Sequence, residues 1–467
     1  MKSETSLKRS LKFRDVLILA FSTMIGWGWV SLAGNWVYQG GSIGASLAFV
    51  FGAIMCIFVG LAYCELTPMF PYAGGEVFFS YNAMGYNASW FTGWMITFAY
   101  IGVAAWEGPA LATALDYIVP MPKFVYLYTV AGFDVYLSWL LAPVLVGVLL
   151  IYINIKGISF SAKFQAIITL VLAIGGVMFA IVSAIKGDTA NITPLVTNSN
   201  GVIAVIFAVP AMFVGFDVIP QAAEEMNISL KKIPNAIILS ICLAAAWYIM
   251  IIISASVSAP NYVLAESGLT VVNAINYATS KVILGKFIIV TAIMGILTSW
   301  NGFIIGATRV LYSMGRAGML PEGFGKVHSE NKTPVLANMV VGGISIFTPL
   351  LGRNSLSWFV DASSLGTVIA YFMVSISFII LRIKHPNIRR PFRVKYGMFI
   401  GVIAVVISLM FICLYLPIGS NSLNNIEWII VSTWLALGII FYLMGLKKMQ
   451  HNKKMCESLM KYKMNDE

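Results

Sequence analysis

The chain alternates, on a coarse scale, between long apolar runs and short polar connectors. The runs lie near residues 15–37, 42–65, 88–118, 136–155, 163–186, 201–223, 235–258, 286–313, 334–351, 357–381, 397–417 and 426–446. Each is about 18 residues or longer, enough to carry a helix across a bilayer. The pattern predicts an all-α integral membrane protein with twelve transmembrane helices.

Composition agrees. The 467 residues are 59% hydrophobic and 10% charged, against about 25% charged in a soluble domain. The net charge of +11 raises the question of nucleic acid, and its distribution answers it. With the N-terminus in the cytoplasm, every Lys and Arg except Lys123, Lys186, Lys281, Lys286 and Arg353 falls in the N-terminal tail, a cytoplasmic connector or the C-terminal tail. Basic residues gather on the cytoplasmic side of membrane proteins, so both termini are expected there. The charge serves topology, its partner is the lipid bilayer, and nucleic acid is not expected. The five cysteines are scattered and the three histidines lie in connectors. No metal site or cofactor is called for.

Two spans carry interruptions. The first reads MIGWGWV over 24–30, with Gly26 and Gly28 near midspan. The sixth reads AVPAMFVGFDVIPQAAEE over 208–225, with Pro210, Gly215 and Pro220 around Asp217. Glycine costs about 1 kcal/mol relative to alanine inside a helix, and unwound backbone survives at bilayer depth only where it is buried in protein or lines a cavity. A single glycine pair also fits close helix packing. Two interruptions five spans apart fit inverted repeats whose broken first helices meet at a central site. The expected organisation is a tail (1–14), a first five-helix repeat (15–186), a second, inverted five-helix repeat (201–381), helices eleven and twelve (397–446) and a cytoplasmic tail (447–467).

These residues resemble the amino acid–polyamine–organocation transporters, which share the fold of the bacterial leucine transporter. The carriers of the resemblance are Gly26-Trp27-Gly28; Phe213, Gly215, Phe216 and Asp217; Glu224, Glu225, Ile233 and Pro234; and Asn301, Thr308, Arg309, Gly318 and Pro321. The resemblance implies transport by alternating access. It also implies that backbone N–H groups around Trp27 and Gly28 take a substrate carboxylate and that carbonyls near Phe213 and Val214 take its amine, in keeping with the polarity of half-helix ends. The candidate substrate-binding residues are Ile25, Gly26, Trp27, Gly28, Glu107, Phe213, Val214, Gly215, Phe216, Asp217 and Asn301. Trp27 departs from relatives that hold a small residue there; it either walls the pocket or packs.

Glu107, deep in the third span, and Asp217 are the proton-coupling candidates, because a carboxylate at bilayer depth costs about 2.5–3.5 kcal/mol even on lenient scales. Pro109 is expected to loosen the helix beside Glu107. Relatives that carry a lysine in the fifth span align it with Leu172 here, which argues against lysine-based coupling. Thr298, Ser299 and the carbonyl of Met24 offer a weaker sodium alternative. Arg309 is expected in a gate with Glu224 or Glu225, and Glu65 and Glu76 flank a Gly/Pro-rich connector suited to a hinge. The reading is a secondary transporter of amino acids in a bacterial cell membrane, working by proton symport or exchange. The alternative ligand is an amine without a carboxylate, of polyamine or ethanolamine type. A channel or membrane enzyme is the remote third reading, since no filter and no clustered nucleophile is present.

Overall fold

The computed structural model describes residues 7–266, 268–417 and 422–460. Parts of both expected tails, 1–6 and 461–467, lie outside the described residues.

The first span is α1 (Phe13–Met24), then α2 (Gly28–Ser31) and α3 (Ala33–Gly40). Next come α4 (Ser42–Met69), the short α5 (Gly75–Met84) and the long α6 (Tyr86–Ile118). Pro109 lies inside α6 without ending it, so the expected loosening does not occur as a helix break. Two antiparallel strands follow, β1 (Tyr126–Val130) and β2 (Phe133–Tyr136), where an all-α chain was expected. Their sequence, YLYTVAGFDVY, alternates around a tight Ala-Gly turn, which suits a hairpin.

The chain continues with α7 (Leu137–Ile155), α8 (Ile158–Lys186), α9 (Ser199–Met212), α10 (Val218–Gln221) and α11 (Ile233–Ser258). A connector of two short helices, α12 (Asn261–Leu264) and α13 (Thr270–Thr279), leads to α14 (Val282–Arg316). The remainder is α15 (Val335–Phe347), α16 (Ser355–Lys384), α17 (Gly397–Tyr415) and α18 (Asn425–Met460). Among the described residues, ten helical segments are long and apolar enough to cross a membrane, and two more, Ser199–Met212 and Val335–Leu351, are apolar but shorter. The protein is a multi-pass, predominantly helical membrane protein.

Burial sorts these helices. Nearly nine-tenths of the most apolar stretch of α6 is buried within the protein, against 17% for α18. α6 packs on α14 and α16, and α1 on α8, α11 and α14. The apolar side chains that α17 and α18 leave exposed, such as Phe399, Val406, Ile429 and Ile439, face the surroundings that lipid supplies.

The two ends differ. One carries the hairpin: Asn354 donates to the Ala131 carbonyl at 2.8 Å and Tyr128 to the Leu350 carbonyl at 2.7 Å. The other is basic and tightly tied. There, Arg309 pairs with Glu225 through two hydrogen bonds of 2.9 and 3.0 Å. Arg316 pairs with Glu224 through two of 3.0 Å, and Glu65 holds both Arg382 and Arg390.

Candidate functional site

The interruptions expected in the first and sixth spans are present and touch. α1 ends at Met24, and helix resumes at Gly28. α9 ends at Met212, and residues 213–217 form a turn before α10. Gly215 has φ +136°, and a Cβ there would lie 2.9 Å from the Met24 nitrogen. Only glycine fits so close an approach with this backbone angle. Tyr248 of α11 donates to the Met24 carbonyl at 2.8 Å, satisfying one acceptor that unwinding frees. Among the described residues, no backbone donor reaches the carbonyls of Phe213 or Val214.

Between the breaks lies a cavity of ≈ 40 Å³, lined by Gly26, Gly28, Met212, Val214, Tyr248 and Ser299, with Val103 and Trp106 of α6 and Ser363 and Thr367 of α16 as walls. One water needs about 10–15 Å³ on this measure, so the space holds a few waters and must widen for a larger ligand. A second cavity, ≈ 320 Å³, opens nearby between Trp27, Asn35, Thr113, Thr270 and Arg353.

The sequence-derived candidates are distributed as follows. Gly26, Gly28 and Val214 line the inner cavity, and Trp27 lines the outer one. Ile25 is fully buried. Phe213 packs against Phe49 and Tyr248, and Phe216 against Tyr63 and Tyr371. Glu107 stands behind the first break, its Oε1 3.4 Å from where a Gly26 Cβ would sit. It is fully buried, with the Ser299 hydroxyl and the Trp106 indole N–H beside its carboxyl, neither of them closing to a full hydrogen bond. Asp217 accepts from the Gly215 N–H at 2.7 Å and from the Tyr100 hydroxyl at 2.9 Å.

Asn301 does not line the cavity. Its amide nitrogen donates to Gln165 at 2.7 Å and its oxygen accepts from Asn154 at 2.8 Å. Gln165 in turn donates to Ser22 at 2.8 Å. This ladder ties α1, α7, α8 and α14 together and consumes the polar groups of Asn301 internally. Of the groups considered for sodium, Ser299 lines the inner cavity, the Met24 carbonyl accepts from Tyr248, and the Thr298 hydroxyl donates to the Gly295 carbonyl at 2.8 Å.

Tyr248, Trp106, Ser363 and Thr367 were not picked out from the sequence. The run DASSLGT over 361–367 was a visible signal, a patch of small polar residues within an apolar span. Tyr248 carried none, because an aromatic in a membrane helix reads as packing.

The profile of the family described as amino acid permease matches residues 11–445 of this chain. The chain belongs to the amino acid permease family. It is therefore a transporter rather than an enzyme, and it falls within the superfamily whose motifs the breaks resemble. Among similar proteins, the branched-chain amino acid permease BcaP of Bacillus subtilis is 26% identical over 461 residues, 96% of this chain and 95% of that one. The methylthioribose transporter of the same organism is 26% identical, covering 95% of this chain and 94% of its own. Human cationic amino acid transporter 4 is 26% identical over 82% of this permease and 61% of its own length. Both ends of the permease's structure make sense in this light. The basic end is tied by ion pairs, and the hairpin end keeps a cavity that reaches down to Trp27.

Proposed function

We propose that this permease carries amino acids across the bacterial cell membrane by alternating access, using twelve spans of which the first ten form two inverted five-helix repeats (15–186 and 201–381). The basic end and both termini face the cytoplasm. The observation that carries the reading is the backbone-to-backbone meeting of Met24 and Gly215, with a small cavity between helix ends of opposite polarity. The turn starting at Gly28 offers N–H groups to a carboxylate, and the carbonyls of Phe213 and Val214 face an amine. Closed toward the cytoplasm by Arg309–Glu225, the conformation is one that loads from outside.

Energetics follow from Glu107. A carboxyl at bilayer depth with no basic partner among the described residues is costly to keep, which supports it as the carrier of a coupled proton. In proteoliposome counterflow, Glu107→Gln is expected to keep exchange within about threefold of wild type while losing its response to a pH gradient. A mutant that neither binds nor exchanges would move Glu107 from coupling to ligand contact. Trp27→Ala is expected to join the two cavities and raise the external KM about tenfold, the equivalent of about 1.4 kcal/mol of lost contact. An unchanged KM would remove Trp27 from the entry path.

A second reading, an amine ligand without a carboxylate, is favoured by the Glu107 carboxyl beside Gly26. Competition by amino acid esters decides: loss of competition on esterification supports the carboxylate site, and retention supports the amine reading.

A further inference from the structure

A second buried acid lies near the break in the sixth span, and the transport reading above leaves it without a role. Glu76, on α5, is fully buried, as are Asp217 and Gln221. Gln221 links the two acids. Its amide nitrogen donates to Glu76 Oε2 and lies 3.3 Å from both the Tyr100 hydroxyl and the Asp217 carbonyl. Tyr63 of α4 and Tyr371 of α16 complete the surround. Cys56 of α4 lies close to Asp217.

Among the described residues, no cation balances the pair. The arginines on the elements packed nearby are engaged elsewhere: Arg309 with Glu225, Arg316 with Glu224, and Arg382 with Glu65. Two ionised carboxyls held in one buried cluster without a cation would repel each other and forfeit their hydration. One of them is therefore neutral, and the hydrogen bonds decide which. Asp217 has a donor on each oxygen, Gly215 N–H and Tyr100 O–H, and such bonds favour the anion. Glu76 Oε1 has no hydrogen-bond partner, and neither has Gln221 Oε1.

We propose that Glu76 is a proton-binding site: its carboxyl holds a proton in this conformation, donated toward the Tyr63 hydroxyl, while Asp217 remains the anion. Burial, together with the Asp217 charge, pushes Glu76 up to about 8, which accords with the geometry. Resting on the transport reading, the site has a mechanical consequence. α5 packs on α10, where a Cβ on Gly75 would lie 2.5 Å from Pro220. Separating these helices to open the cytoplasmic path wets Glu76 and releases the proton to that side.

The test uses infrared difference spectra of the purified full chain in lipid nanodiscs, titrated with pH, in an E107Q background so that the Glu107 carboxyl, which also has no arginine partner, is silent. No substrate is needed, so the result is independent of whether the transport reading holds. The expected result is a protonated-carboxyl stretch that disappears in Glu76→Gln. In Asp217→Asn it persists with a midpoint lowered by about one pH unit or more, because the like charge is gone. A band that survives Glu76→Gln overturns the proposal. So does one that vanishes in Asp217→Asn, and so does one that follows sodium or potassium rather than pH. Should Glu76→Gln fail to fold, the midpoint shift in Asp217→Asn carries the test alone.

Discussion

Removing either half of the Arg309–Glu225 pair, by Arg309→Met or Glu225→Leu, is expected to destabilise the permease by about 3–5 kcal/mol, whereas the double variant loses far less. Both side chains are essentially inaccessible, at 0% and 1% exposure, and the guanidinium uses two nitrogens on the two carboxylate oxygens. A single substitution leaves the remaining charge buried with no counter-ion. The double substitution removes both charges and fills similar volume with apolar atoms, which is often neutral or better. The main chain of Glu225 separately holds the N-terminal segment, because the Ser10 and Leu11 amides donate to its carbonyl at 2.8 and 3.0 Å. Thermal unfolding in detergent measures the stability. Labelling of a cysteine placed at Thr23, from the basic side of oriented vesicles, measures closure. Single variants no less stable than the double would show that the pair contributes little, and the gate would have to be sought at Arg316–Glu224.

Gly215→Ala is expected to abolish transport, by about 100-fold or more, while Gly85→Ala leaves it nearly intact. Both glycines have positive φ, +136° and +88°, so both substitutions carry backbone strain of about 1–3 kcal/mol. They differ in what the new methyl meets. At Gly85 nothing lies within 4 Å, whereas at Gly215 the methyl would be 2.9 Å from the Met24 nitrogen and 3.1 Å from the Thr23 carbonyl carbon. Main-chain atoms cannot swing aside as a side-chain tip can, so the two breaks must separate. A separation of even 1 Å at a binding site costs orders of magnitude in rate. Counterflow compared at matched expression checks the pair. Equal activity in the two variants would mean that the breaks do not need to touch.

The interruptions were legible because helix-breaking residues inside an apolar run have few other uses. Gly26 and Gly28, and Pro210 with Gly215, stand out against the residues around them. Long-range partnerships were not legible. Glu65 is joined to Arg382 and Arg390 across more than 300 positions, and Asn301 to Asn154 across 147. A sequence shows that such polar groups must be satisfied without showing by which neighbour. Arg309 was expected against Glu224 or Glu225, and geometry chose Glu225 while giving Glu224 to Arg316. Glu76 illustrates the limit best. It stood in a Gly/Pro-rich connector, where a charged residue reads as exposed, and only the fold of α5 under the sixth span takes it out of water. The hairpin was missed for another reason: a search for stretches of about 18 apolar residues passes over strands of five and four.

The ladder from Asn301 through Gln165 to Ser22 fastens the lower half of the first span to α7, α8 and α14, while the upper half, from Gly28 on, bears mainly on α4, α9, α11 and the connector helices α12 and α13. In mechanical terms the span is two rigid arms with a joint at residues 25–27. The axis of any swing between the arms runs through that joint, beside the inner cavity. A ligand held there, as proposed, acts as the pin of the hinge.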